Sequence, residues 1–151
     1  MTIDRQYKLR SARFHASGGQ TIVELALLLP VLLLLLVGVT EVGRYAYFDI
    51  LVSNAARAGA QYGAQSLIQA ADATGIEAAA HNDGLKTMLV TTQQLCGCNL
   101  GVPPVACGGT CAKPQVYVEV TASDTYNSLF QYPGFPAQFT PSSTVTMRVS
   151  Q

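Results

Sequence analysis

The sixteen residues 25–40, LALLLPVLLLLLVGVT, carry no charge and decide the architecture of this chain. As helix they span about 24 Å, and with Ile22 and Val23 on one side and Val42 on the other the stretch reaches the roughly 30 Å of a hydrocarbon layer. It reads as a membrane-spanning helix. Pro30 lies inside it, where a missing N–H removes one backbone hydrogen bond and predicts a kink that neighbours in a membrane can compensate. Just upstream, Arg5, Lys8, Arg10 and Arg13 stand against Asp4 alone. Basic residues close to a span stay on the cytoplasmic side, so the N-terminus is expected inside and everything after the span outside. A cleaved secretory signal has a shorter apolar region and a small-residue cleavage site, whereas VTEVGRYAYF follows here. A lipoprotein anchor needs a cysteine directly after the run, and the first cysteine is Cys96.

The chain has 151 residues, so one small domain remains once the span is subtracted. Formal charge balances at zero and only 12 % of residues are charged, which points to neither a nucleic-acid partner nor an acidic tail. Beyond the span, VGRYAYFDILVSNAARAGAQYGAQSLI has no proline and keeps apolar or small residues at helical spacing, so one long helix is predicted from about Thr21 to Leu67. Thr74 and Glu77 form a T-x-x-E capping box, and Ile76, Ala80, Leu85, Met88 and Leu89 predict a second helix running toward Leu95. Val116, Val118 and Val120 alternate with Tyr117, Glu119 and Thr121, as Val145, Met147 and Val149 do with Thr144, Thr146 and Arg148. These read as two paired strands. The intervening YNSLFQYPGFPAQFTPSS is expected to form an ordered loop whose rings cover the sheet. The expected class is α+β: a long N-terminal transmembrane helix continuing outside the membrane, a short helix, and a small antiparallel β region with disulfides. The expected divisions are 1–19, a basic leader; 20–70, the long helix; and 71–151, an exterior domain.

Cys96, Cys98, Cys107 and Cys111 could in principle bind zinc or form two disulfides. An exterior location favours disulfides, and no metal or cofactor is expected. A bridge between Cys96 and Cys98 across a single glycine would be strained, which leaves Cys96 with Cys107 or Cys111 and Cys98 with the other.

Glu24 has no place in a plain anchor, because an acid near the bilayer centre costs about 2.5 to 3.5 kcal/mol on insertion scales, less near the surface. Cleavage after Gly19 would supply a partner for it, a new ammonium group on Gln20. At this point the sequence carries a resemblance. GQTIVE, residues 19–24, between a basic leader and a leucine-rich run, resembles the type IV prepilin processing motif. Residues 19–64 are similar almost throughout to the TadE-like proteins: a G-x-x-x-x-E start, the membrane-embedded Pro30, E-x-G-R at Glu41, Gly43 and Arg44, and N-A-A-R-x-G-A from Asn54 through Ala55, Ala56, Arg57 and Gly59. The resemblance implies a minor pseudopilin needed for assembly of a tight-adherence, Flp-type pilus, matured by a prepilin peptidase. It further implies partnership with other pilins and pseudopilins and with an inner-membrane assembly platform, and a single-pass place in the bacterial inner membrane. In that setting Glu24 docks the N-terminal ammonium of an adjacent subunit.

Glu41 and Arg44 can form an i,i+3 ion pair, read with Tyr45 and Tyr47 as anchoring where the helix leaves the membrane. Gly59, Gly63, Ala55, Ala56 and Ala60 make a small-residue stripe that would let another helix approach closely. Enzymatic function has little to rest on, since His15 and His81 are the only histidines and neither sits in a nucleophile or phosphate-loop motif. The alternative is a membrane-tethered binding or adhesion module with an uncleaved anchor, using Tyr126 to Phe139 for recognition.

Overall fold

The computed structural model describes residues 18–98, 103–108, 114–130 and 136–150. The leader up to residue 17 and Cys111 therefore lie outside the described residues. Helix α1 runs Gly18–Gly63 through Pro30, followed by α2, Leu67–Ala71, and α3, Ala73–Asp83. The chain divides into two compact units between Val39 and Thr40, and α1 contributes to both. In the first unit every side chain from Gly19 to Leu36 is exposed. Large leucines are laid bare on all sides of the helix, which in water would far exceed the apolar patch a soluble monomer shows. By length and composition α1 can cross a membrane, and it alone qualifies among the described residues.

The second unit is built on an antiparallel sheet of β1 (Leu89–Gly97), β2 (Val105–Ala106), β3 (Gln115–Ser123) and β6 (Ser142–Arg148), in the order β2-β1-β3-β6. A separate two-stranded ribbon pairs β4 (Tyr126–Asn127) with β5 (Gln138–Phe139). Alternation works as expected in β3: Val118, Val120 and Ala122 are fully buried, while the other set faces outward. That outward face is tied by polar cross-strand pairs, with Thr121 and Thr144 Oγ1 atoms 2.8 Å apart and Thr146 donating to Glu119 at 3.2 Å. The inward face meets α1 and α3 in two clusters, one around Val52, Ala55, Ala56, Ala80, Met88 and Ala122, the other around Ala60, Ile76, Val118, Val120 and Val149.

Three expectations from the sequence are corrected. The long helix ends at Gly63 rather than Leu67, and α2 is a separate turn capped by Ser66, whose hydroxyl accepts from the Gln69 N–H. Helix α3 is capped by Asp72 and not by Thr74: a carboxylate accepts from the Gly75 N–H at 3.0 Å and from the Thr74 hydroxyl at 2.7 Å, so Thr74 serves the cap as a donor. The same helix stops at Asp83, and residues 89–97 are strand β1. Gly84 ends it, and the β-branched run Val90, Thr91, Thr92 prefers an extended chain with a neighbour on β3.

Candidate functional site

The residues singled out by sequence fall into three places along α1. Gly19, Gln20 and Glu24 lie in its first turns, all exposed, and a side chain added at Gly19 would meet nothing within 4 Å. The backbone there is open to approach. Pro30 follows a further turn and a half along, among exposed leucines.

The second place begins at Glu41, the first charged residue after the uncharged run. Arg44 donates to Glu41 Oε2 at 3.2 Å, the i,i+3 ion pair that the spacing predicts. The other carboxylate oxygen does something the sequence did not suggest: Oε1 accepts from the Tyr126 hydroxyl at 2.9 Å and from the Leu129 N–H at 3.0 Å. Glu41 thus clasps a loop that is 85 to 88 residues away in sequence. Arg44 completes the clasp by lying over the Tyr126 ring, 5.4 Å from its centroid. Tyr126 packs edge-on against Tyr45 at 5.9 Å and against Phe48 at 5.4 Å, and Phe139 sits 5.4 Å from Tyr45. Of the rings expected to cover the sheet, Tyr126 and Phe139 pack on α1 instead, and Tyr132 and Phe135 lie outside the described residues. Residues 41, 45, 48 and 52 recur at helical spacing on one stripe, so the face that holds the loop leads directly into the face that holds the sheet. Gly43, with open space around it, is outside this contact.

The third place is the small-residue stripe, and it is occupied within the chain. Val52, Ala55, Ala56 and Ala60 are fully buried. A Cβ on Gly59 would stand 3.1 Å from Val120 and 3.2 Å from Ile76, and one on Gly63 would stand 3.0 Å from Val118. The stripe lets β3 and Ile76 of α3 approach the α1 backbone, rather than another long helix. Asn54 and Arg57, from the same motif, point away from this face and are exposed.

Cys96 on β1 is bridged to Cys107, just after β2, with Cα atoms 4.9 Å apart, which resolves one of the two pairings left open by spacing. Cys98 is disulfide-bonded as well. His81 is half-buried, with Nδ1 3.1 Å from the Leu85 carbonyl and Nε2 3.4 Å from a Glu77 carboxylate oxygen. Asp72 also holds α1, since it accepts from the Tyr62 hydroxyl at 3.0 Å. With the Gly75 N–H, the Thr74 hydroxyl and the Tyr62 hydroxyl all donating to it, its carboxyl is held below the ordinary value of 3.8. Among the described residues, no group of three or more His, Cys, Asp or Glu could hold a metal ion.

Residues 19–61 match the family described as TadE-like protein. That span includes Gly19, Glu24, Pro30, the Glu41 and Arg44 side of the clasp, and the stripe up to Ala60. No curated protein and no solved structure matches the chain.

Proposed function

We propose that this chain is a minor pseudopilin of a tight-adherence, Flp-type pilus machine, cut after Gly19 by a prepilin peptidase. The mature protein is held in the bacterial inner membrane by α1, with its N-terminus toward the cytoplasm and its sheet outside, following the basic leader Arg5, Lys8, Arg10 and Arg13. One observation carries the reading: Gly19 and Glu24 stand at the head of a helix whose apolar side chains from Ile22 to Leu36 are all exposed. A tether needs hydrophobicity alone. It gains nothing from an open glycine and an acid five residues apart at the edge of the bilayer.

Cleavage supplies the logic. A glycine with free space around it lets a peptidase reach the backbone, and the cut leaves an ammonium group on Gln20. In low dielectric the Glu24 carboxylate attracts such an ammonium from a neighbouring subunit strongly enough to set the axial position of one helix against the next. The role of the chain is structural, and its partners are the peptidase, other pilins and pseudopilins, the inner-membrane assembly platform and the lipid itself.

The test is N-terminal sequencing, or intact mass, of chain extracted from membranes of cells with and without the cognate peptidase. A mature chain beginning at Gln20 only when the peptidase is present is expected. A chain beginning near Met1 in both strains overturns the proposal and leaves a membrane-tethered exterior module.

A further inference from the structure

The clasp at Glu41 leaves two large apolar side chains uncovered. Tyr126 is buried, yet Leu129 is 64 % exposed and Phe130 is 51 % exposed, and both sit in the turn that Glu41 holds. Their height along α1 is fixed. Leu129 donates its N–H to the carboxylate of the first residue beyond the uncharged run. The turn's own polar groups are partly satisfied from within: the Leu129 N–H is bound to Glu41, and Ser128 Oγ donates to the Phe130 carbonyl at 2.7 Å. A turn with its Leu129 N–H and Phe130 carbonyl bonded within the protein and two apolar side chains exposed suits the boundary between headgroups and acyl chains.

We propose that residues 128–130 form a second membrane contact, with Leu129 and Phe130 seated in the outer interfacial layer of the bilayer that α1 crosses and Glu41 setting their depth. Tyr45 and Tyr47, 39 % and 63 % exposed, flank the clasp as residues favoured at that level. The occupant is lipid because the turn is bonded to the residue at which the apolar run ends. The inference rests on residues 25–40 crossing the membrane, and is independent of cleavage at Gly19 or of pilus assembly.

The chain contains no tryptophan, so Phe130→Trp gives a single reporter. The full-length variant would be reconstituted in phosphatidylcholine nanodiscs, both faces of which are open to iodide, with lipids brominated either near the headgroups or at the chain ends. Expected is loss of most emission to the shallow bromolipid, little to the deep one, and weak quenching by iodide. Leu129→Trp should report the same depth if Phe130→Trp disturbs the turn, and near-UV circular dichroism checks that each variant is folded. Adding Glu41→Ala should release the reporter to iodide and abolish its bromolipid quenching; unchanged quenching would overturn the clasp. Emission open to iodide and indifferent to bromolipid overturns the membrane contact. Shielding from both quenchers also overturns it, by showing a protein neighbour. A Leu34→Trp chain separates this from failure of the premise: it must be quenched by the deep bromolipid, and if it is not, α1 does not cross the bilayer and the proposal falls with that reading.

Discussion

Gly59→Ala should destabilise the second unit, although by helix propensity alone it should stabilise it. In an exposed helix interior the change gains about 1 kcal/mol. Against that, the new methyl would lie 3.1 Å from Val120 Cγ1, 3.2 Å from Ile76 Cγ2 and 3.2 Å from the Ile76 carbonyl oxygen. Neither side chain can swing aside, since both are fully buried, and the carbonyl belongs to α3. Overpacking a site of this kind costs about 1 to 3 kcal/mol, so a net loss of about 1 kcal/mol is expected. Gly43→Ala is the internal control, since nothing lies within 4 Å of its new methyl and only the propensity gain remains. The assay is urea unfolding of the detergent-solubilised full chain, followed by tyrosine near-UV circular dichroism, reading the midpoint at constant m. Val120→Ala removes the nearest contact, so in that background the penalty of Gly59→Ala should shrink measurably. If Gly59→Ala instead stabilises as much as Gly43→Ala, close approach of β3 is not why glycine stands there.

Ile76→Ala, which empties the space between Gly59, Gly63 and β3, should cost about 2 to 5 kcal/mol in the same titration. Replacing Cys96 and Cys107 by serine opens a bridge spanning a sequence separation of 11, and the loop-closure argument puts the loss at about 3 kcal/mol, checked as a shift of the unfolding midpoint. Asp72 sets an acid limit: a carboxyl held below its ordinary value of 3.8 stabilises the fold above that value and loses this contribution as pH falls through the lowered one. Thermal unfolding followed downward from about pH 5 should therefore show an acid limb that Asp72→Asn flattens. Glu41→Ala should speed hydrogen exchange at the Leu129 amide while leaving the amides of β3 protected, because only the former donates to Glu41.

Much of the fold was legible because it follows local rules. The uncharged run declared its helix by length, and Val116 to Val120 and Val145 to Val149 declared β3 and β6 by alternation. Strand β1 was not legible, since Leu85, Met88 and Leu89 happen to repeat at helical spacing while the residues that decide for strand, Val90 to Thr92, are too few to outweigh them. Asp72 and Thr74 both suit an N-cap, and only the structure shows that the carboxylate takes the Gly75 N–H. The clasp had no local signal at all: Glu41 announced an ion pair with Arg44, but its bonds to Tyr126 and Leu129 depend on a chain return of more than eighty residues. The small-residue stripe was readable as a packing surface and its occupant was not, because glycine and alanine admit a strand as readily as a helix.

Why one helix should serve both units follows from the order of its side chains. In the first unit the largest aliphatic residues, Leu32 to Leu36, are outside, and in the second the smallest, Ala55, Ala56 and Ala60, are inside. A single solvent would not produce that inversion. Lipid favours bulky apolar side chains on every face, whereas a sheet packed on a helix needs short ones on one face and polar ones opposite. Glu41 sits where one requirement gives way to the other, and it is the first side chain of α1 whose charge has partners on the helix and on the loop alike. Moving that acid one turn toward the N-terminus, as Glu41→Leu with Val37→Glu, should therefore lose the loop contact and place an unpaired carboxylate within the apolar run. The expected outcome is poorer membrane insertion together with fast exchange at Leu129. Normal insertion with a protected Leu129 amide would show that the junction is not set by the position of this charge.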